Sequence, residues 1–217
     1  MTQGARAVAA LGLLSAAAWC AACTAPKPVL VDFSETPRDY RSRDYHDVYE
    51  RWTRHGLARL DVESALEVWA TFKGWDYREA YVEHYTSIYS LADSEKTALR
   101  AAQLDSFHNA YEFHMTAQSA NYKWNDLEKR NSAWRVTLVD GVGHELAPEG
   151  VKLEKLPDPY EVEFFPNKGP FTRSYSVRFP RAAVDGKPTD FAGTSSGSLI
   201  LRIASPVGRI ELTWQSN

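Results

Sequence analysis

The clearest structural pattern in the chain is the stretch Leu199-Ile-Leu-Arg-Ile-Ala-Ser-Pro-Val-Gly-Arg-Ile-Glu-Leu-Thr-Trp214. On each side of Ser205–Gly208 every second residue is apolar, which is the spacing of a β-strand with one buried face. The pattern predicts a hairpin that pairs Leu199–Ala204 with Arg209–Trp214. We expect its buried face to carry Leu201, Ile203, Ile210, Leu212 and Trp214.

The two-residue spacing recurs upstream of this hairpin. Alternating apolar residues are found at Trp134, Val136, Leu138 and again at Tyr175, Val177, Phe179. Asp140-Gly141 is a typical turn pair, and the six prolines between Pro157 and Pro188 exclude long helices. Residues 131–217 are therefore predicted to form an antiparallel β-sheet or sandwich.

Residues 38–130 show helical spacing instead. Apolar residues recur every three to four positions between Tyr45 and Trp52, and Gly56 is a plausible stop. Further helices are predicted over Asp61–Ala70 (closed by Gly74), over Asp76–Leu91, and from the acidic start Asp93-Ser94-Glu95 to about Ser119. A helical part followed by a β part is an α+β arrangement, with the boundary near Asn131–Ser132.

The beginning of the chain has a distinct composition. Arg6 is the only charged residue before Lys27, and an alanine-rich apolar run leads to Cys23. A short basic end, an apolar run and small residues before a cysteine form a pattern that resembles the export signal of bacterial lipoproteins. Ala21-Ala22-Cys23 matches the end of the lipoprotein box, and Cys20 stands where the box has leucine.

This resemblance implies a membrane anchor. Residues 1–22 would be the removed signal, Cys23 would carry acyl chains such as palmitate, and residues 23–37 would form the lipidated N-terminus and a tether. The protein would then belong to the cell envelope. Thr24, in place of an aspartate, favours the outer membrane, with the protein facing the periplasm or the cell surface.

Two other interpretations of this stretch remain open. It could be an ordinary secretory signal, or it could stay uncleaved as an anchor, since the uncharged run Ala7–Pro26 approaches the ~20 residues of a membrane span. Cys20 and Cys23 are the two cysteines of the chain. A lone cysteine left after cleavage is better explained as an acyl acceptor than as half of a disulfide.

The composition bears on the choice of partner. Acidic residues outnumber basic ones by 28 to 25, whereas nucleic-acid binding calls for clustered lysine and arginine. We therefore expect no nucleic-acid partner. The expected partners are the membrane, through the N-terminal lipid, and an envelope protein or cell-wall glycan.

The sequence lacks the residues that nucleophilic catalysis requires. Gly193-Thr-Ser195-Ser-Gly197 matches the G-x-S-x-G nucleophile elbow, but that motif needs a helix after it and a histidine later in the chain. A predicted strand follows Ser195, and the last histidine is His144. We expect a flexible loop here and no catalytic residue, and no cysteine follows Cys23 to act as a nucleophile.

The histidines do not predict a metal site. The chain contains His46, His55, His84, His108, His114 and His144, and no H-E-x-x-H motif. His46 with Glu50, and His108 with Glu112, are each half of a zinc site at best. We interpret both as surface polar pairs and expect no metal and no cofactor in Lys27–Asn217; Asp185–Asp190 is too short for a calcium loop.

Two patterns have a structural and a functional interpretation. Tyr77, Tyr81, Tyr85 and Tyr89 recur every four residues, which indicates a half-buried helix face or an exposed aromatic platform for glycan. The acidic stretches Asp61–Glu67 and Glu154–Glu163 are surface loops, or they supply two carboxylates for glycosidase chemistry.

The missing catalytic parts favour a non-enzymatic role. The sequence predicts a membrane-tethered envelope lipoprotein that binds or scaffolds another component. The alternatives are an envelope hydrolase acting on glycan or peptide, and a small-ligand binder that uses the cleft between the two parts. Binding is expected near Tyr77–Tyr89 or on the loop Arg181–Gly197.

Overall fold

The computed structural model of the protein describes residues 29–61, 63–181 and 197–216. Within these ranges the chain forms ten β-strands and four α-helices. The strands are β1 (Leu30–Val31), β2 (Thr53–Leu60), β3 (Glu63–Phe72), β4 (Ala110–Gln118), β5 (Arg135–Asp140), β6 (Glu145–Leu146), β7 (Gly150–Glu154), β8 (Arg173–Pro180), β9 (Ser198–Ser205) and β10 (Gly208–Ser216). The helices are α1 (Tyr45–Trp52), α2 (Trp75–Tyr89), α3 (Asp93–Asn109) and α4 (Asp158–Phe164).

The strands form two five-stranded sheets. The order is β1-β10-β9-β5-β6 in the first sheet and β2-β3-β4-β8-β7 in the second. Neighbouring strands run antiparallel except β1, which is parallel to β10. The predicted α+β class is confirmed. The second sheet combines strands from both sides of the predicted boundary at Asn131–Ser132.

The terminal hairpin forms in the predicted register. Arg209 lies opposite Ala204 and Trp214 opposite Leu199. The five residues predicted for its buried face are all at most 3% exposed. The alternation at Tyr175, Val177 and Phe179 is also confirmed, because these side chains are buried on β8.

The predicted helix Asp61–Ala70 is wrong, because this segment forms most of β3. Leu66, Val68, Ala70 and Phe72 are buried at alternate positions, which is strand spacing. A short apolar run fits either period, and pairing with β2 and β4 on its two sides selects the strand. Gly56 is likewise no helix stop, since α1 ends at Trp52 and Gly56 lies inside β2.

The fourth predicted helix is correct only to Asn109. From Ala110 the chain continues as β4, in which Tyr111, Phe113 and Met115 are buried. Residues four apart, such as Tyr111 and Met115, share a face in a helix and also in a strand. The spacing that predicts a helix to Ser119 does not distinguish a helix from a strand. Residues 38–130, the part predicted to be helical, also contain β2, β3 and β4.

The other helices agree with the sequence. α1 and α2 form close to their predicted bounds. α3 begins at Asp93, and the Glu95 carboxylate accepts a hydrogen bond from the Ala92 amide at 2.9 Å. Such an acceptor satisfies an amide that has no partner within the helix.

The core lies between the two sheets. It includes Trp52, Phe72, Phe113 and Trp214, whose rings are at most 1% exposed and contact one another. β1 adds Val31 to this core, so the chain is already part of the folded body at Leu30–Val31. In the described ranges, no helix has both the length and the apolar character required to cross a membrane.

Candidate functional site

Several residues singled out in the sequence lie outside the described residues. They are Cys23, the elbow residue Ser195, the segment Asp185–Asp190 and most of the loop Arg181–Gly197. The expectations for these positions stay predictions.

The tyrosine row on α2 is mostly a packing surface. Tyr77 is buried and its hydroxyl lies 3.0 Å from that of Tyr45, while the Tyr81 hydroxyl lies 2.9 Å from that of Tyr160. Tyr81 and Tyr85 are half-buried, and Tyr89 is 48% exposed. The half-buried interpretation therefore fits this helix, and only its end is open to a ligand.

The histidines are distributed over the fold. Three form single pairs with carboxylates: His55 with Glu67 (2.9 Å), His108 with Glu35 (3.1 Å) and His144 with Asp140 (2.8 Å). His114 is buried and stacks on the Phe165 ring. Two others, His46 and His84, come together beside Glu163.

Glu112 is not a partner of the neighbouring His108. It lies on β4, where its two oxygens accept from the guanidinium groups of Arg78 at 2.7 Å and Arg178 at 2.6 Å. Burial raises the pKa of Glu112, but the charges of Arg78, Lys73 and Arg178 outweigh burial and leave the pKa lowered. Glu112 is thus a structural carboxylate held by arginine.

An open pocket lies where the loop that follows β4 meets the loop that precedes β8. Its volume is about 640 Å³, within the range of small-molecule sites. It is lined by Ser64, Glu67, Gln118, Ser119, Ala120, Tyr122, Asn125, Pro170, Phe171, Thr172 and Arg173. These residues come from both sides of the predicted boundary.

Two exposed aromatic rings lie at this pocket. Phe171 is 83% exposed and Tyr122 is 72% exposed. The Arg173 guanidinium stacks 4.7 Å from the centre of the Tyr122 ring, an arrangement that attracts the cation to the ring face. Both rings line the same pocket, so its rim offers apolar surface to a ligand.

The wall of the pocket carries oriented polar groups. The Glu67 carboxylate accepts from the Gln118 amide at 2.6 Å and contacts the His55 ring at 2.9 Å. Ser64 also lines the pocket, but its hydroxyl oxygen is buried and has no hydrogen-bond partner among the described residues. A carboxylate and an amide together can bind the hydroxyl and amide groups of a polar ligand.

The base of the pocket is rigid because of Asn125. This side chain is 2% exposed and donates to the Ala117 carbonyl at 2.8 Å. The Tyr175 hydroxyl donates to the Asn125 side-chain oxygen at 2.9 Å, and Arg173 donates to its backbone carbonyl at 2.6 Å. The pocket wall is therefore fixed before a ligand arrives, which lowers the entropic cost of binding.

Little in the sequence indicates this pocket. Of its lining residues only Glu67 was singled out, as a member of an acidic stretch. Phe171 and Tyr122 have no spacing pattern, and their exposure arises from the loops that carry them. Proline, glycine and aromatic residues together at Gly169-Pro170-Phe171 are the one local signal of an exposed aromatic loop.

Comparisons with known proteins add no function. The chain matches no protein-family model and no curated protein. A solved structure of a protein of unknown function from Burkholderia pseudomallei K96243 resembles it with 14% identity, over 82% of this chain and 92% of that one, at a TM-score of 0.39. Similarity at this level carries no conclusion about this chain.

Proposed function

We propose that this protein is a membrane-tethered, non-enzymatic envelope lipoprotein that binds a small polar ligand in the pocket at Glu67, Gln118 and Phe171. The tether is the predicted acyl group on Cys23. The ligand class we propose is a cell-wall glycan fragment, and the envelope component that supplies it is the partner of the protein.

The observation that carries this proposal is the combination of exposed rings with fixed polar groups. Sugar rings present apolar faces that pack on aromatic side chains, and hydroxyl edges that need hydrogen bonds. Phe171 and Tyr122 supply the first kind of contact. Glu67 and Gln118 supply the second kind.

Among the alternatives, small-ligand binding fits this pocket better than scaffolding, because scaffolding calls for a broad apolar surface. The rival hydrolase would need an acid and a second carboxylate at the ligand. Among the pocket-lining residues Glu67 is the one carboxylate, so the lining lacks the second carboxylate that such chemistry needs. Binding without turnover is therefore the function we favour.

The test is titration of the full chain, purified in detergent, with soluble muropeptides and N-acetylglucosamine oligomers. We expect saturable binding to one of these probes, observed by calorimetry. Phe171→Ala should raise the Kd by at least about tenfold, which corresponds to ~1.4 kcal/mol. The ring is exposed, so this change should leave the fold intact.

Tyr89→Ala is the matched control, because it removes another exposed ring that is not among the pocket-lining residues. Its Kd should equal that of the wild type. If Tyr89→Ala weakens binding and Phe171→Ala does not, the end of the α2 row is the binding surface and the pocket is not. Turnover of either probe would favour the hydrolase instead.

A further inference from the structure

The structure brings His46, His84 and Glu163 together at the surface. These residues lie on α1, α2 and α4. One nitrogen of each histidine and one carboxylate oxygen of Glu163 lie within 4.8 Å of one another. We propose that these three side chains bind one divalent transition-metal ion, and that zinc is the metal they fit.

The residue types match the metal. Imidazole nitrogens and carboxylate oxygens bind zinc at ~2.0–2.2 Å, and two histidines with one glutamate form a known donor set with three protein ligands. A tetrahedral ion at such lengths places its ligand atoms about 3.4 Å apart. Glu163 Oε1 lies 2.9 Å from His84 Nε2 and 4.0 Å from His46 Nε2. One of these distances is shorter and the other longer than the spacing that a tetrahedral ion requires.

Two of the three side chains are exposed enough to move to the distances that a bound ion requires. The side chains of His46 and Glu163 are 51% and 44% exposed. Both can change rotamer without disturbing the core. The same exposure opens the site to ions from solution and leaves a coordination position for water, as in zinc sites with three protein ligands.

His84 is the fixed ligand of the three. Its side chain is 8% exposed, and its ring stacks on that of Tyr45 with centres 4.6 Å apart. The Ser42 hydroxyl lies 2.8 Å from His84 Nδ1. Histidine ligands almost always have such a partner on the second nitrogen, which fixes the tautomer and the ring direction.

The Ser42 hydroxyl can bond to His84 Nδ1 both without and with a bound metal ion. The Glu163 carboxylate can only accept, so without metal we assign the proton of the neutral His84 ring to Nε2, and Nδ1 then accepts from the serine hydroxyl. With metal on Nε2, the proton belongs on Nδ1, and the same hydroxyl accepts it. A hydroxyl is both donor and acceptor, so the partner need not move when the ion binds.

Local spacing could not reveal this group, because its members are 38 and 79 positions apart in the sequence. The sequence predicts no metal in this part of the chain, and one measurement decides between that prediction and the present proposal. The group shares no residue with the pocket lining. Glycan binding and metal binding can therefore succeed or fail independently.

The experiment uses the full chain, stripped of metal with a chelator and titrated with zinc at pH 7.5. We expect one zinc ion per chain, measured by elemental analysis after gel filtration and by calorimetry. Cobalt(II) at the same site should give the visible absorption of a four-coordinate ion. A bound ion that joins three helices should also raise the Tm as zinc concentration increases.

His46→Ala and Glu163→Gln alter exposed ligands and should leave the fold intact. Each should raise the zinc Kd by at least about 100-fold, beyond the 10–100-fold typical of changes to outer partners. Ser42→Ala should fall within that 10–100-fold range. Circular dichroism of each variant without metal establishes that it is folded.

His108→Ala is the matched control, because His108 and Glu35 form an exposed histidine–carboxylate pair at 3.1 Å. This variant should bind zinc like the wild type. The proposal is overturned if the wild type retains no zinc, if zinc binding survives in both His46→Ala and Glu163→Gln, or if His108→Ala weakens it equally. In each of these cases His84 and Glu163 form only a hydrogen-bonded pair.

Discussion

At the residue scale, His114 is a histidine buried against an aromatic ring. Its ring is 3% exposed and stacks on Phe165 with centres 3.4 Å apart. Its Nε2 has no hydrogen-bond partner within the described part of the chain. Burial, together with the charges of Lys73 and Lys168, lowers the pKa of His114 well below its ordinary value. This histidine is therefore neutral at neutral pH.

The neutral state of His114 predicts acid sensitivity. The unfolded chain binds a proton at His114 below about pH 6.5, and the folded chain does not, so stability is complete above that pH and falls below it. The loss is at most about 1.4 kcal/mol per pH unit for this group. In His114→Phe the free energy of unfolding should depend less on pH between 7.5 and 5, measured by urea denaturation.

His108→Gln is the control for this prediction, because His108 is exposed and paired at the surface. Its pH dependence should stay close to that of the wild type. If His114→Phe retains the full dependence, other groups control acid stability.

Trp214 combines burial with a specific hydrogen bond. Its ring is fully buried, and its indole N–H donates to the Trp52 carbonyl at 2.8 Å. Trp214→Ala should lower the free energy of unfolding by ~3–5 kcal/mol. Phe171→Ala removes an exposed ring and should change it by less than ~0.5 kcal/mol. Chemical denaturation compares the two, and a small loss at Trp214 would contradict the close packing between the sheets.

At the element scale, the approach of β2 to β10 depends on Gly56. A Cβ at this position would lie 2.4 Å from Ile210 Cγ2 and 2.8 Å from Leu212 Cδ2. The two strands belong to different sheets, so this glycine sets how closely the sheets meet. The sequence predicts a helix stop here because glycine is common after helices. In the structure, the missing side chain of Gly56 instead leaves space for the side chains of Ile210 and Leu212.

Gly56→Ala should destabilise the protein by ~1–3 kcal/mol, since branched side chains of the packed core must shift. The double variant with Ile210→Ala should show coupling, because removing Cγ2 relieves the closest contact. Gly150→Ala on β7 is the matched control: no atom lies within 4 Å of its Cβ position. That change should be neutral or stabilise by up to ~1 kcal/mol. Equal effects of the two substitutions would show that the space between β2 and β10 accommodates a Cβ at position 56.

At the scale of the whole molecule, the predicted anchor and the folded body are close in sequence. Cys23 is seven positions before Leu30, which pairs with β10. Seven extended residues span at most about 25 Å. An acyl group on Cys23 would therefore hold the body, with its pocket, near the membrane surface.

The anchor is tested in cells. Cys23→Ser should abolish acylation and either release the body or leave an unprocessed precursor. Cys20→Ser should have little effect, because Cys20 lies inside the predicted signal. Intact mass of membrane-extracted protein gives the mature N-terminus and its modification; a different N-terminus or an unmodified Cys23 would show that the segment is a secretory signal or an uncleaved span.

The sequence alone determined those elements whose apolar spacing fits a strand but not a helix, or a helix but not a strand. The hairpin from Leu199 to Trp214 alternates on both sides of a four-residue turn, and no helix buries that set on one face. The sequence was insufficient for β3 and for β4 beyond Asn109. Residues four apart share a face in both structures, and only pairing with neighbouring strands decides between them.

The sites were decided almost entirely by tertiary structure. His46, His84 and Glu163 are distant in sequence, and three helices must pack before their ligand atoms meet. Phe171 and Tyr122 are unremarkable as residue types, and they become a candidate binding surface because loops leave them exposed beside fixed polar groups. Local patterns reflect interactions within an element, whereas a ligand site depends on distances between elements. Those distances exist only in the folded chain.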